Sequence, residues 1–200
     1  MRNGFKAREA QAFPITMLNA SSTSLALEIS VDMWLSYLMT RIGVLSDTHL
    51  DGPENLIDEI VETHLSAVDM FIHAGDMVWF SVLDSLYATG KPVHAVSGNM
   101  DPVEVKSRYP AKKIIEVEGI RIGIIHGWGS PNSIRQRIIG EFSDVSAIVY
   151  GHTHQPFCSF EAGILFFNPG SPTDSRFTKE CSVGIIEVDS KNLRGEIIRL

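Results

Sequence analysis

The stretch Ile42-Gly43-Val44-Leu45-Ser46-Asp47-Thr48-His49 joins a short apolar run to an Asp-x-His triplet. The apolar run predicts a buried strand, and in an extended chain residues i and i+2 point the same way. The side chains of Asp47 and His49 are therefore expected to reach one point just beyond the strand. A carboxylate oxygen and an imidazole nitrogen at one point suit a divalent first-row metal. Alone the triplet is weak evidence, because an Asp-x-His is more often a turn with a hydrogen-bonded histidine.

Four further apolar runs end in polar residues that can bind metal. These residues are Asp76 after 70–72, Asn99 after 93–96, His126 after 120–125, and His152 and His154 after 147–150. Sites in open α/β sheets form beyond the carboxyl ends of strands, so we expect these side chains to meet. Glycine adjoins four of the five groups and permits sharp turns and close backbone approach. The donors are oxygen and nitrogen without sulfur, which suits Mn²⁺, Fe²⁺, Zn²⁺ or Co²⁺ better than a structural thiolate zinc.

The order of the predicted elements indicates an α/β fold. Strands alternate with helices in the first half, which implies parallel crossover connections. One helix is expected to open at Pro53, and a second to span 80–88 with Gly90 as its C-terminal cap. The second half carries hairpin signals at Glu118-Gly119 and around 190–192. We therefore expect two mixed β-sheets packed face to face as a sandwich, with helices outside.

Composition limits the classes of function. A chain of 200 residues with 44% hydrophobic and 20% charged residues fits one ordinary domain. The net charge of −7 argues against stable binding to nucleic acid or an anionic membrane. No run reaches the roughly 18 apolar residues of a transmembrane helix. Two cysteines form no disulfide framework, which fits a reducing compartment, so we expect a cytoplasmic protein.

Residues 1–38 are interpreted as an N-terminal extension outside the core, and residues 39–200 as the domain. The extension lacks the unbroken apolar region and clean cleavage site of a secretory signal. Two interpretations remain: a helix that packs on the domain or on a neighbour, or sequence upstream of a natural start at Met39. We favour the second, because the first core strand begins just after Met39.

The complete motif set resembles the calcineurin-like metallophosphoesterases. The segments that carry the resemblance are Asp47-x-His49, Gly75-Asp76, Gly98-Asn99-x-Asp101, His126-Gly127 and Gly151-His152-Thr153-His154. Their order and spacing match over 41–200, and the short length resembles the small YfcE-type phosphodiesterase branch. The resemblance implies the family's four-layer fold of two sheets flanked by helices.

The resemblance also implies a two-metal site. Asp47, His49 and His154 would bind the first cation and Asn99, His126 and His152 the second, with Asp76 bridging both. The implied activity is that of a phosphodiesterase, with in-line attack of a metal-bridging hydroxide on a small phosphate diester, and with Asp76 and Asn99 as catalytic residues. Manganese is the expected metal, and iron, zinc, nickel and cobalt are alternatives.

One position departs from the wider family. Many members have histidine after the Asn, placed to protonate the leaving oxygen, whereas this chain has Met100. The small phosphodiesterase branch commonly lacks that histidine too. Asp101 keeps the family's acidic position, and without its usual histidine partner it is expected to orient the Asn99 loop. His73 is expected to support the site rather than bind metal.

Three alternatives stay open at this point. A phosphomonoesterase and a nucleotide-polyphosphate hydrolase would use the same ligands. A binding scaffold like the metallophosphoesterase-like subunit of retromer would keep the fold without catalysis. Scaffold members tend to lose metal-site histidines, while this chain has all seven expected ligands. A homo-oligomer is compatible with the sequence.

Overall fold

The computed structural model describes residues 39–49, 55–174, 180–190 and 192–200. The strands in this part are β1 (Thr40–Leu45), β2 (Met70–His73), β3 (Val93–Ala95), β4 (Lys112–Val117), β5 (Ile120–Ile125), β6 (Ala147–Val149), β7 (Phe157–Glu161), β8 (Ile164–Asn168), β9 (Ser182–Val188) and β10 (Leu193–Arg199). The α-helices are α1 (Leu56–His64), α2 (Phe80–Ala88), α3 (Val103–Arg108) and α4 (Ile134–Ile138).

The strands form two five-stranded mixed sheets. The first has the order β10-β9-β1-β2-β3, and the second has the order β4-β5-β6-β8-β7. β1, β2 and β3 run parallel to one another, as do β5, β6 and β8. The antiparallel pairs are β1 with β9 and β9 with β10 in the first sheet, and β4 with β5 and β7 with β8 in the second. The predicted fold class, α/β with two mixed sheets, is confirmed.

Alternating side chains divide the core into layers. On β1, the buried residues Ile42 and Val44 pack between the sheets, while Leu45 packs under the helices on the opposite face. α1 and α2 cover that outer face through residues such as Ile57 and Leu83. α4 covers the outer face of the second sheet through Ile134 and Ile138. The result is a four-layer arrangement of helices, sheet, sheet and helix.

The local sequence patterns predicted most of the helices, strands and turns correctly. α2 spans the predicted residues, and Gly90 follows it with a φ of +73°. Glu118 and Gly119 both have positive φ, as a tight hairpin turn requires. α3 was not predicted, and α4 is flanked by two 3₁₀ turns, Pro131–Ser133 and Ile139–Glu141. Pro53, expected to open α1, lies outside the described residues.

Within the described residues, no helix is long and apolar enough to cross a membrane.

The boundary between 1–38 and 39–200 remains a prediction, since 1–38 lies outside the described residues. We expect a protein that begins at Met39 to fold and to keep its activity, because all seven candidate ligands lie between 47 and 154. Circular dichroism, metal analysis and hydrolysis of a chromogenic diester would test this against the full chain. Insolubility or loss of metal would make residues 1–38 a structural part of the enzyme.

Candidate metal centre

The candidate ligands meet where the parallel strands of both sheets end. Asp47 and His49 follow β1, Asp76 follows β2 and Asn99 follows β3. From the second sheet, His126 follows β5, while His152 and His154 follow β6. The structure thus brings all seven predicted residues to one edge of the sandwich, as the general rule for strand ends requires.

One group consists of Asp47, His49 and His154. The Nε2 atoms of His49 and His154 are 3.2 Å apart, and Asp47 Oδ1 lies 3.3 Å from His154 Nε2 and 3.9 Å from His49 Nε2. Each of the three residues offers one ligand atom, and these atoms lie within 4.8 Å of one another. The two imidazoles and the carboxylate therefore converge on a single point.

A second group adjoins the first. The Oδ1 atom of Asn99 lies 3.1 Å from His126 Nε2 and 3.0 Å from His152 Nδ1. Asp76 Oδ2 lies 3.1 Å from His126 Nε2 and 3.8 Å from His49 Nε2. Asp76 thus contacts both groups, which is the position expected of a shared ligand. Asp47 Oδ1 also lies 3.9 Å from His126 Nε2, and Asp47, Asp76 and His126 form a further set of converging ligand atoms.

The backbone at these ligands is unusual. Asp47, His49, Asp76, His152 and His154 all have φ between +43° and +70°. This left-handed region is uncommon for residues other than glycine, and such residues cluster at functional sites. The five residues are held there by their surroundings. For example, the Asp47 N–H donates to the Gly75 carbonyl and the His49 N–H to that of Asp76.

Two glycines let the loops approach closely. A Cβ atom on Gly98 would lie 2.1 Å from Asp76 Oδ1, and one on Gly151 would lie 1.9 Å from Ser46 Oγ. No larger residue fits either position without displacing a carboxylate or its hydrogen-bond partner. This is the physical reason for glycine in the Gly-Asn and Gly-His motifs.

Burial and mutual contact shift the pKa values of the cluster. Burial raises the pKa of Asp47 to about 7, and the charge of Asp76 adds to the effect. Burial opposes the charged form of His126, but its hydrogen bond to Asp76 and the charge of Asp47 raise its pKa to about 9. Because these groups touch, the bound protons belong to the cluster rather than to single residues. A metal that binds here would displace these protons, because its ligands must be a deprotonated carboxylate and a neutral imidazole.

Hydrogen bonds to backbone carbonyls fix the ring orientations of two histidines. His126 Nδ1 lies 2.9 Å from the Ala74 carbonyl, and His152 Nε2 lies 2.9 Å from the Gly129 carbonyl. A carbonyl oxygen only accepts, so these ring nitrogens carry the protons. The opposite nitrogens, Nε2 of His126 and Nδ1 of His152, face the cluster. Each can bind a metal once its ring is neutral, so metal binding at His126 releases a proton.

Two aspartates outside the ligand set support it. Asp174 was missed by the sequence reasoning; its Oδ2 lies 3.1 Å from His154 Nδ1. Its only signal was the Asn168-Pro169-Gly170-Ser171 loop that precedes it. Asp101 accepts from the N–H groups of Asp76, Val78 and Gly98, at 3.0, 2.7 and 2.7 Å. It ties the Asp76 loop to the Asn99 loop, in agreement with the orienting role predicted for it.

His73 is fully buried and belongs to neither group of converging ligand atoms. Its Nδ1 accepts from the Gly75 N–H at 3.2 Å, and its Nε2 lies 3.3 Å from Thr48 Oγ1. Burial lowers the pKa of His73 to about 4, so the ring is neutral. It joins the loops of Asp47 and Asp76 and agrees with the supporting role predicted for it.

We expect Asp174→Ala to weaken metal binding by roughly 10–100-fold, the usual effect of losing such a supporting carboxylate. Without Asp174 the His154 ring would lose the partner that directs its Nε2 to the cluster. Titration with Mn²⁺ against a competing chelator dye measures the affinity. Asp58→Ala on the exposed face of α1 is the matched control and should not change it. Unaltered affinity in Asp174→Ala would show that His154 needs no such support.

The donor set fits divalent cations. Two fully or nearly fully buried carboxylates, Asp47 and Asp76, lie within 4 Å of ring nitrogens of His49 and His126. Within the described residues, no lysine or arginine forms an ion pair with either carboxylate. Imidazole nitrogens and carboxylate oxygens brought this close are typical of first-row divalent sites.

A cavity of about 560 Å³ opens beside Asn99 and His126. Its polar lining includes Lys106, Lys112 and Glu141, and its aromatic lining includes Tyr109 and Trp128. A volume of this size accommodates a substituent larger than phosphate alone.

Comparison with known proteins agrees with this geometry. Residues 40–191 match the model of the calcineurin-like phosphoesterase superfamily domain. A probable metallophosphoesterase of Methanothermobacter thermautotrophicus is 38% identical over 160 residues, covering 79% of this chain and 91% of the relative. A phosphodiesterase of Methanocaldococcus jannaschii is 27% identical over 165 residues, covering 77% of this chain and 96% of the relative. The solution structure of a Thermotoga maritima protein is 33% identical with a TM-score of 0.62, covering 80% of this chain and 99% of that one. This chain therefore belongs to the calcineurin-like phosphoesterase superfamily and is a metal-dependent hydrolase of phosphate esters.

Proposed function

We propose that this protein is a dimetal phosphodiesterase that hydrolyses a small phosphate diester. The observation that supports this most strongly is the convergence of seven oxygen and nitrogen donors at one edge of the sandwich. Asp76 lies between the two groups of donors, within 3.8 Å of His49 Nε2 and 3.1 Å of His126 Nε2. A shared carboxylate of this kind is what a two-metal site needs.

The ligand assignment is part of the proposal. Asp47, His49 and His154 hold the first cation, and Asn99, His126 and His152 hold the second, with Asp76 shared. Manganese is the metal we propose, because the donors are oxygen and nitrogen without sulfur. Iron, zinc, nickel and cobalt would find the same donors. When bound, two divalent cations supply Lewis-acid polarisation of the phosphoryl group and lower the pKa of water.

The residues themselves bind and orient the substrate. Asn99 directs its carbonyl oxygen toward His126 and His152, so its NH₂ group can donate to a phosphate oxygen. Asp76 accepts the N–H of Met100 at 2.7 Å through Oδ1, which leaves Oδ2 directed at the cluster. Buried walls around Asp47 and Asp76 keep bulk water away from the carboxylates.

One feature limits the leaving group, and a second favours a diester over a monoester. Met100 cannot donate a proton to a leaving oxygen, so leaving groups that need protonation are handled poorly in either class of ester. The cavity beside Asn99 provides room for a second substituent. The complete donor set supports catalysis over a scaffold role. We propose a cytoplasmic enzyme whose partner is its small substrate, with no stable binding to nucleic acid or membrane.

Metal analysis and a hydrolysis panel test this proposal. The purified protein should contain about two divalent ions per chain and should regain activity in Mn²⁺ after treatment with a chelator. Bis(p-nitrophenyl) phosphate should be hydrolysed with a higher kcat/KM than p-nitrophenyl phosphate. A preference for the monoester, or for a polyphosphate in the same panel, would overturn the diester assignment.

A further inference from the structure

We propose that the cavity beside Asn99 recognises a diester substituent that carries a second negatively charged group, and that Lys106 binds that group. The inference rests on the proposed function and names a substrate class for it: a nucleotide-like diester with an additional phosphate.

Lys106 contacts the main chain of Asn99, one of the candidate ligands. Its ammonium group donates to the main-chain carbonyl of Asn99 at 2.9 Å, and the Asn99 side chain enters the cluster. Lys106 also lines the same cavity as Asn99 and His126. A substrate with its scissile phosphate at the cluster would therefore place its substituent beside this ammonium group.

The two lysines that line the cavity differ in whether a carboxylate pairs with them. Lys112 is paired with Glu141, whose Oε2 lies 2.7 Å from its Nζ. Among the described residues, no carboxylate forms an ion pair with Lys106. The cavity thus keeps a positive charge within a chain of net charge −7. An anion bound here would supply the charged partner that the described part of the chain does not provide.

The remaining walls suit a flat organic group. Trp128 is 43% exposed, and Tyr109, Pro110, Ala111 and Ile125 add further apolar surface to the cavity. Exposed aromatic rings bind bases by stacking without reading their sequence. The combination of an aromatic wall and an ammonium group with no carboxylate partner among the described residues fits a nucleoside that bears an additional phosphate.

Two chromogenic diesters that differ by one phosphate test the inference. They are thymidine 5′-(p-nitrophenyl phosphate) and the same compound with a 3′-phosphate, both assayed with the full-length protein in Mn²⁺. The quantity to compare is the ratio of their kcat/KM values. A Lys106 variant could displace Asn99, but that would lower kcat/KM for both substrates alike and leave the ratio unchanged. We expect the wild type to prefer the 3′-phosphorylated diester by about tenfold at low salt, and less as salt rises.

Variants of Lys106 should change this ratio. Lys106→Met should bring it close to one, Lys106→Glu below one, and Lys106→Arg should retain the preference. Lys91→Met is the matched control, since the Lys91 ammonium also bonds to a backbone carbonyl, that of Ser66, but lies outside the cavity. Calorimetric binding of thymidine 3′,5′-bisphosphate should weaken in Lys106→Met in the same proportion.

The outcomes separate the two proposals. If neither diester is hydrolysed in Mn²⁺, the proposed function fails. If both are hydrolysed and the wild-type ratio is close to one, only the role of the cavity is overturned. A preference that survives in Lys106→Met would also overturn the role of Lys106.

Discussion

Asp76→Asn is expected to lower kcat/KM for a phosphodiester by at least about 100-fold, and by more than Asp47→Asn does. Even residues that only support a metal ligand typically cost 10–100-fold, and a shared ligand should cost at least that. Asp76 contacts His49 from the first group and His126 from the second. Its replacement removes a negative charge that both proposed cations use.

Metal analysis separates the two aspartate variants. We expect Asp76→Asn to lose affinity at both sites, whereas Asp47→Asn weakens chiefly the group formed with His49 and His154. Thermal unfolding without metal provides the control for folding, because both carboxylates are buried. Near-normal metal content and turnover in Asp76→Asn would contradict the two-metal model.

Strand periodicity carried most of the fold prediction. The apolar runs before Asp47, Asp76, Asn99 and His126 were expected to be buried strands, and β1, β2, β3 and β5 lie there. Successive side chains of an extended chain point to opposite faces of a sheet, so a strand can be recognised from a few consecutive residues. α3 was missed because a six-residue helix has little periodicity and Pro102 precedes it as an extended residue. Sheet order could be inferred only in outline, because pairing joins distant segments.

The site was predictable to the extent that its residues follow strands. Asp174 carries no such signal, because it lies in a loop and reaches His154 only through the fold. The cavity is likewise a tertiary feature: Lys106 lies on α3, while Trp128 follows β5. The bonds from Asp101 to three backbone N–H groups also depend on loop conformation, although its supporting role was expected.

Met100 gives the last prediction. General acid catalysis typically contributes 10²–10⁴-fold, and it matters most for poor leaving groups. The wild type should therefore prefer aryl diesters strongly over alkyl ones. His73 cannot supply the missing proton, because its ring is fully buried between the Thr48 hydroxyl and the Gly75 N–H.

Met100→His is expected to flatten this dependence on the leaving group. The Met100 N–H donates to Asp76 Oδ1 at 2.7 Å, which fixes the backbone beside the cluster, while its side chain is 61% exposed. A histidine there has room to turn toward a departing oxygen. Asp101 will not orient that ring, because its two oxygens already accept three backbone N–H groups.

A series of diesters with leaving groups of different pKa measures the effect. In the wild type, log(kcat/KM) should fall steeply as the leaving-group pKa rises, and in Met100→His the alkyl diesters should gain most. Met100→Gln is the matched control, because it is polar and of similar length but cannot donate a catalytic proton at neutral pH. A shallow slope already present in the wild type would mean that another group protonates the leaving oxygen. Lys106 would then be the first residue to test, since its ammonium group donates a hydrogen bond to the carbonyl of Asn99, next to Met100.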